Sequence, residues 1–122
     1  MRYLTIGLAQ CRQTNDFETN AQTILEYVEA AVQQKVQILC FPETQTVGYR
    51  ADVTKADAPV PISKLESLHA KVSARCRDAR MACILGTETP NRSNPVHGKP
   101  YNSALVISEH GEILGVHHKN KL

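Results

Sequence analysis

The sequence predicts an α/β protein in which helices pack against a sheet. Two segments place apolar residues at helical spacing, five others read as short apolar or alternating strands, and the two kinds alternate before a closing pair of strands. The chain has 122 residues, 42% hydrophobic and 21% charged, the composition of one soluble globular domain.

Tyr3 to Gln10 alternates, with Leu4, Ile6 and Leu8 on one face and Thr5, Gly7 and Ala9 on the other. This predicts a strand buried on at least one side. Asn15 and Asp16 are N-cap residues, and Glu18 stands three after Asn15 as in a capping box. The helix they open carries Ala21, Ile24, Leu25, Val28, Ala31 and Val32 on one face and ends in Gln33, Gln34 and Lys35. Val36 to Phe41 is a nearly continuous apolar run, the mark of a strand covered on both faces, and Pro42 stops it. Strand, helix and strand form a βαβ unit, so the first two strands are expected to be parallel.

Residues 44–62 read as a long loop with Gly48, Pro59 and Pro61. Ser63 and Glu66 suggest a second capping box, opening a helix with Leu65, Leu68, Val72, Cys76 and Ala79 in one stripe. Met81 to Glu88 is a third apolar strand, and Pro90, Pro95, Gly98 and Pro100 mark a surface loop. Tyr101 to Ser108 and Glu112 to His118 are strands joined by Glu109-His110-Gly111, where Gly supplies the left-handed residue of a hairpin turn. The expected order is β-α-β-α-β-β-β, without repeats. Two helices protect one face of such a sheet; the other needs a second sheet, another subunit or more chain. The end at Lys121-Leu122 has no cap, turn or polar tail and reads as truncation.

Composition excludes several functions. The net charge is +2 with no basic run, and six aromatic residues without Trp give little for base stacking, so no nucleic acid is expected. No apolar stretch approaches the ~20 residues of a membrane helix, and no long apolar segment follows Met1-Arg2, so neither membrane nor signal peptide is expected. Asn91-Arg92-Ser93 is then a chance glycosylation sequon. Cys11, Cys40, Cys76 and Cys83 form no C-x-x-C pair and read as reduced thiols of a cytoplasmic protein. No metal site is expected. His117 and His118, adjacent on a strand, point to opposite faces, and His69, His97 and His110 read as surface or loop residues. A nucleotide site lacks both G-x-G-x-x-G and G-x-x-x-x-G-K-[ST].

Two residues stand where chemistry is placed. Glu43 directly follows a buried strand, at the carboxyl end where α/β sheets put their ligands, and partial burial there would raise its pKa toward general-base work. By position alone it also reads as a carboxylate capping a loop. Lys119, after the last strand, reads either as an oxyanion stabiliser or as a solvated lysine.

Six segments in order resemble the nitrilase superfamily of carbon–nitrogen hydrolases: Ile6-Gly7-Leu8-Ala9-Gln10, Asn20, Phe41-Pro42-Glu43 with Val47-Gly48-Tyr49, Gly86 with Glu88, Tyr101-Asn102-Ser103-Ala104, and Gly111 and Gly115 before Lys119. The resemblance implies an αββα sandwich of which residues 1–122 supply the N-terminal half. It implies Glu43 as general base and Lys119 as oxyanion stabiliser, with a Cys nucleophile and a further structural Glu lying beyond residue 122. Tyr49 would line the substrate pocket, or else pack in its loop. Cys40, on the strand before the loop, is rejected as nucleophile because its side chain would point into the sheet layers. The family shows an aromatic-Arg pair before its Lys and a His two residues after it; here these are His117-His118 and Lys121. The implied activity is hydrolysis of a small-molecule amide or nitrile through a thioester, without metal or organic cofactor, in a homo-oligomer. On that reading this chain alone is inactive. The alternative is a truncated, non-catalytic relative acting as a binding or assembly module, whose exposed sheet face would drive association.

Overall fold

A computed structural model describes residues 2–49, 60–91 and 99–120. Pro59, Pro95, Gly98, His97, Lys121 and the Arg92-Ser93 portion of the sequon lie outside them. The element order is β1 (Ile6–Leu8), α1 (Phe17–Gln33), β2 (Ile38–Cys40), α2 (Ile62–Ala79), β3 (Ala82–Thr89), β4 (Tyr101–Ile107) and β5 (Ile113–His118), the order expected from the sequence. The strands form one sheet in sequence order. β1, β2 and β3 run parallel, and β4 and β5 are antiparallel to their neighbours.

Both crossover helices bury their stripes on one face of the sheet. Ile24, Val28 and Ala31 of α1 and Leu68, Val72 and Cys76 of α2 meet Leu39, Cys83, Leu85, Leu105 and Ile107. Of the two N-cap candidates, Asp16 caps α1 by accepting from the Thr19 N–H, so the box counted from Asn15 does not form, and α2 starts at Ile62 behind Pro61 with no side-chain cap. Glu18 instead bonds Lys64 of α2 at 2.9 Å. Both helices end in a Schellman turn. The Val36 N–H reaches the Ala31 carbonyl, and the Met81 N–H reaches that of Cys76, each at 3.0 Å. Lys35 and Arg80 take the left-handed residue of these turns, at φ 57° and 55°. No described helix is long and apolar enough to cross a membrane.

Among the described residues, the opposite face of the sheet carries no helix. Its pairing aligns Leu8, Cys40, Ile84, Val106 and Gly115 in one row across all five strands. In β1 the packed side is that of Gly7 and Ala9, while Ile6 and Leu8 are 56% and 78% exposed. The strand is thus turned so that its large residues lie bare. Gly111 closes the β4–β5 hairpin at φ +76°. Near that turn the register slips by one residue: Ile107 pairs with Ile113 but Val106 with Gly115, leaving Leu114 as a bulge.

The loop after β2 folds onto this bare face at Gly86. A Cβ built on Gly86 would collide with the Pro42 carbonyl oxygen and come within 3 Å of the Thr44 nitrogen and Glu43 Cα. With no side chain there, the backbone settles directly on β3. The Thr46 N–H bonds the Gly86 carbonyl at 3.2 Å, and the buried Thr46 and Thr87 hydroxyls meet at 3.0 Å. Thr44 adopts φ 57°, and its carbonyl accepts from Val47 and Gly48. From the other side, fully buried Asn20 bonds the Thr14 main chain and hydroxyl and the Thr46 carbonyl. Next to Thr14, the Gln13 amide donates to the Glu43 carbonyl at 2.6 Å. Gly86→Ala therefore lifts the loop or strains the strand. We expect a loss of about 1–3 kcal/mol of stability, read as a lower denaturant midpoint; an unchanged midpoint would show that the loop does not rest on Gly86.

Candidate active site

Glu43 leaves the loop beside the ends of β4 and β5. Its Oε1 accepts from Lys119 Nζ at 2.7 Å and from Asn102 Nδ2 at 2.6 Å. Both donors come from adjacent strands, since the Lys119 N–H bonds the Asn102 carbonyl at 2.8 Å. The second carboxylate oxygen accepts no hydrogen bond from the described residues. The three side chains border a depression of about 240 Å³ on the bare sheet face, floored by Phe41, Ile84, Gly86 and Ala104 and flanked by His117.

The ion pair sets the charge of both partners. The hydrogen bond from Lys119, then that from Asn102, holds the Glu43 carboxyl below its ordinary pKa, outweighing the smaller upward push of burial. The rise expected from the sequence is thus reversed: the residue is half exposed, and a cation sits on it. Reciprocally, Glu43 raises the pKa of Lys119. Tyr49 is 63% exposed and is not among the residues that border the depression.

The remaining candidates fall elsewhere. The four cysteines are free thiols, and none borders the depression. His117 and His118 project to opposite faces, as the strand period requires. His110 is exposed in the hairpin turn. His69 is partly buried: its Nε2 lies 2.7 Å from the buried Thr87 hydroxyl, and burial pushes its pKa down. Among the described residues no group of three His, Cys, Asp or Glu side chains could hold a metal ion. Asn102 is the participant that sequence reasoning assigned no role. A hairpin pattern that allowed for the bulge would have set it beside Lys119.

A carboxyl group with a lowered folded-state pKa adds stability that is full above its unfolded value and is lost as pH falls through the folded one. Lys119→Met removes the main cause, so the Glu43 carboxyl should titrate nearer its ordinary value, followed by carboxyl-carbon NMR. An unmoved titration would mean that the pair does not form in solution.

Comparison with known proteins agrees with this architecture. The sequence profile of the family described as carbon–nitrogen hydrolase matches residues 5–122. A hydrolase of Schizosaccharomyces pombe is 27% identical over 118 residues, which are 97% of this chain and 35% of that protein. An amidase from Nesterenkonia sp. superposes with a TM-score of 0.74 at 22% identity, covering 98% of this chain and 43% of the amidase. The C. elegans NitFhit protein superposes at 0.70 with 20% identity, covering 98% and 29%. Variants of the Nesterenkonia amidase have been solved with butyramide and with the acetamide moiety of fluoroacetamide added at the active site cysteine. The chain spans about a third of the S. pombe relative and under half of the amidase, and its mixed five-stranded sheet with two helices is the corresponding part of the nitrilase fold. With its profile match running through both Glu43 and Lys119, the chain belongs to the carbon–nitrogen hydrolase family.

Proposed function

We propose that residues 1–122 form part of an amide-hydrolysing domain and supply two of its three catalytic groups, Glu43 and Lys119. The nucleophilic cysteine comes from outside these residues. The observation that carries the reading is the contact of Glu43 Oε1 with Lys119 Nζ on the uncovered sheet face, with Asn102 locking the same oxygen. Amides are favoured over nitriles because the Nesterenkonia protein that superposes on this chain is an amidase, solved with butyramide. A second sheet from the rest of the domain covers the bare face and closes the depression into a substrate pocket, with Tyr49 at the rim of that pocket.

The geometry of the pair supports this division of labour. Glu43 stays a carboxylate at neutral pH and offers its unengaged oxygen to a thiol proton. As that proton moves, the sulfur attacks the amide carbon, and the resulting oxyanion is stabilised by the Lys119 ammonium. Collapse breaks the C–N bond, and the amine leaves with the proton returned by Glu43. Glu43 then takes a proton from water, which attacks the thioester. The second tetrahedral intermediate releases the carboxylic acid and restores the thiol. Each step moves a proton or an acyl group, so the reading requires neither metal nor organic cofactor.

In the intact protein, Glu43→Gln and Lys119→Ala should each lower kcat/KM for a small aliphatic amide by about 10²-fold or more. Near-normal turnover in either variant would overturn the assignment, and turnover by residues 1–122 alone would overturn the external nucleophile.

A further inference from the structure

Behind the ion pair, on the helix side of the same strands, lies a second polar row. The sheet register places Thr89 opposite Tyr101, and Ser103 opposite His118. The Ser103 hydroxyl is 2.7 Å from the Thr89 hydroxyl and 3.0 Å from His118 Nδ1. The His118 ring also stacks on Tyr101, with centroids 4.2 Å apart and planes inclined by 29°. The ring is therefore held in its plane by a hydrogen bond and across its face by an aromatic. Along β5, Ile113 to His117 are exposed and His118 alone is partly covered.

This matters for the residue that follows. Lys119 stands one step beyond the paired end of β5, its N–H bonded to the Asn102 carbonyl. A half-exposed ion pair is too weak to order the end of a strand and a long side chain together. Successive side chains leave a strand on opposite faces, so fixing the ring of His118 on one face fixes the direction of Lys119 on the other.

We propose that His118 is the positioning residue for Lys119: gripped by Tyr101 and Ser103, it locks the end of β5 and so sets where the ammonium meets Glu43. The catalytic consequence rests on the hydrolase reading above; the geometric one does not. His118 touches neither Glu43 nor the depression. Its effect passes through the backbone, and the grip spans three strands through Thr89, Ser103 and His118.

The test uses His118→Ala, His118→Phe and Ser103→Ala in the intact protein, reading the Glu43 carboxyl titration and the kinetics on a small aliphatic amide. In His118→Ala the Glu43 titration should move toward that of Lys119→Met, and kcat should fall about 10- to 100-fold with KM nearly unchanged, the signature of a displaced catalytic group. His118→Phe keeps the stack and should recover part of both effects. Ser103→Ala, which deletes one hydroxyl, should shift both in the same direction by less, and it carries the test if His118→Ala does not fold. A Glu43 titration unmoved in His118→Ala, or in Ser103→Ala where that variant stands in, would overturn the proposal and leave the hydrolase reading intact. A wild-type protein inactive on amides, whose Glu43 titration still responds to His118, would overturn the hydrolase reading and uphold the positioning role.

Discussion

Strand β3 has no side chain at position 86, and the Pro42 carbonyl fills the space that one would occupy. That approach brings the loop close enough for the Thr46 amide to bond the Gly86 carbonyl and for its hydroxyl to reach Thr87. Glu43, the residue after Pro42, is thereby carried over the ends of β4 and β5 instead of out into solvent. Asn20 and Gln13 hold the loop from the α1 side and add direction. A carboxylate on a long loop is ordinarily a poor catalytic element, because its position is paid for in entropy at each turnover. On the proposed reading, main-chain contact with a central strand removes that freedom before substrate arrives.

The same placement explains the electrostatics. A carboxylate half open to water is little affected by burial, so the direction of its pKa shift is decided by what touches it. Lys119 and Asn102 both bond one oxygen, which keeps the group ionised and leaves the other oxygen without a donor among the described residues. The pair is thus asymmetric: one oxygen is structural, the other available. Covering the bare face with another sheet would lower the local dielectric and strengthen every contact in the trio.

Much of this was legible in the sequence, because burial periodicity is a local signal. The stripes Ile24-Val28-Ala31 and Leu68-Val72-Cys76, the apolar β2 and β3, and the Gly111 hairpin all read directly from residue type and spacing. Glu43 and Lys119 each stood out by position at a strand end, but only the family resemblance joined them, since a carboxylate and a lysine 76 positions apart carry no local pattern. Other features required three-dimensional partners. The helix ends use Lys35 and Arg80 in a conformation ordinarily signalled by Gly. Of the two cap candidates Asn15 and Asp16, the position of the Thr19 N–H selects Asp16. His69 was misplaced because the buried Thr87 hydroxyl it meets lies on β3, 18 residues away. The lowered pKa of Glu43 needed knowledge of the cation across the hairpin.

The bulge at Leu114 decides which side of the sheet Lys119 occupies. Beyond it, β5 pairs so that His117 and Lys119 share a face with Asn102 and Ala104, and His118 shares the other with Ser103. Removing one residue between Leu114 and Lys119 would exchange these sets, sending the ammonium to the helix side and His118 to the face of the depression. Removing two would restore the side but shift the amine about 7 Å along the strand. Between the bulge and Lys119 this hairpin thus obeys a parity rule: the number of residues there sets the side of the sheet on which the ammonium stands.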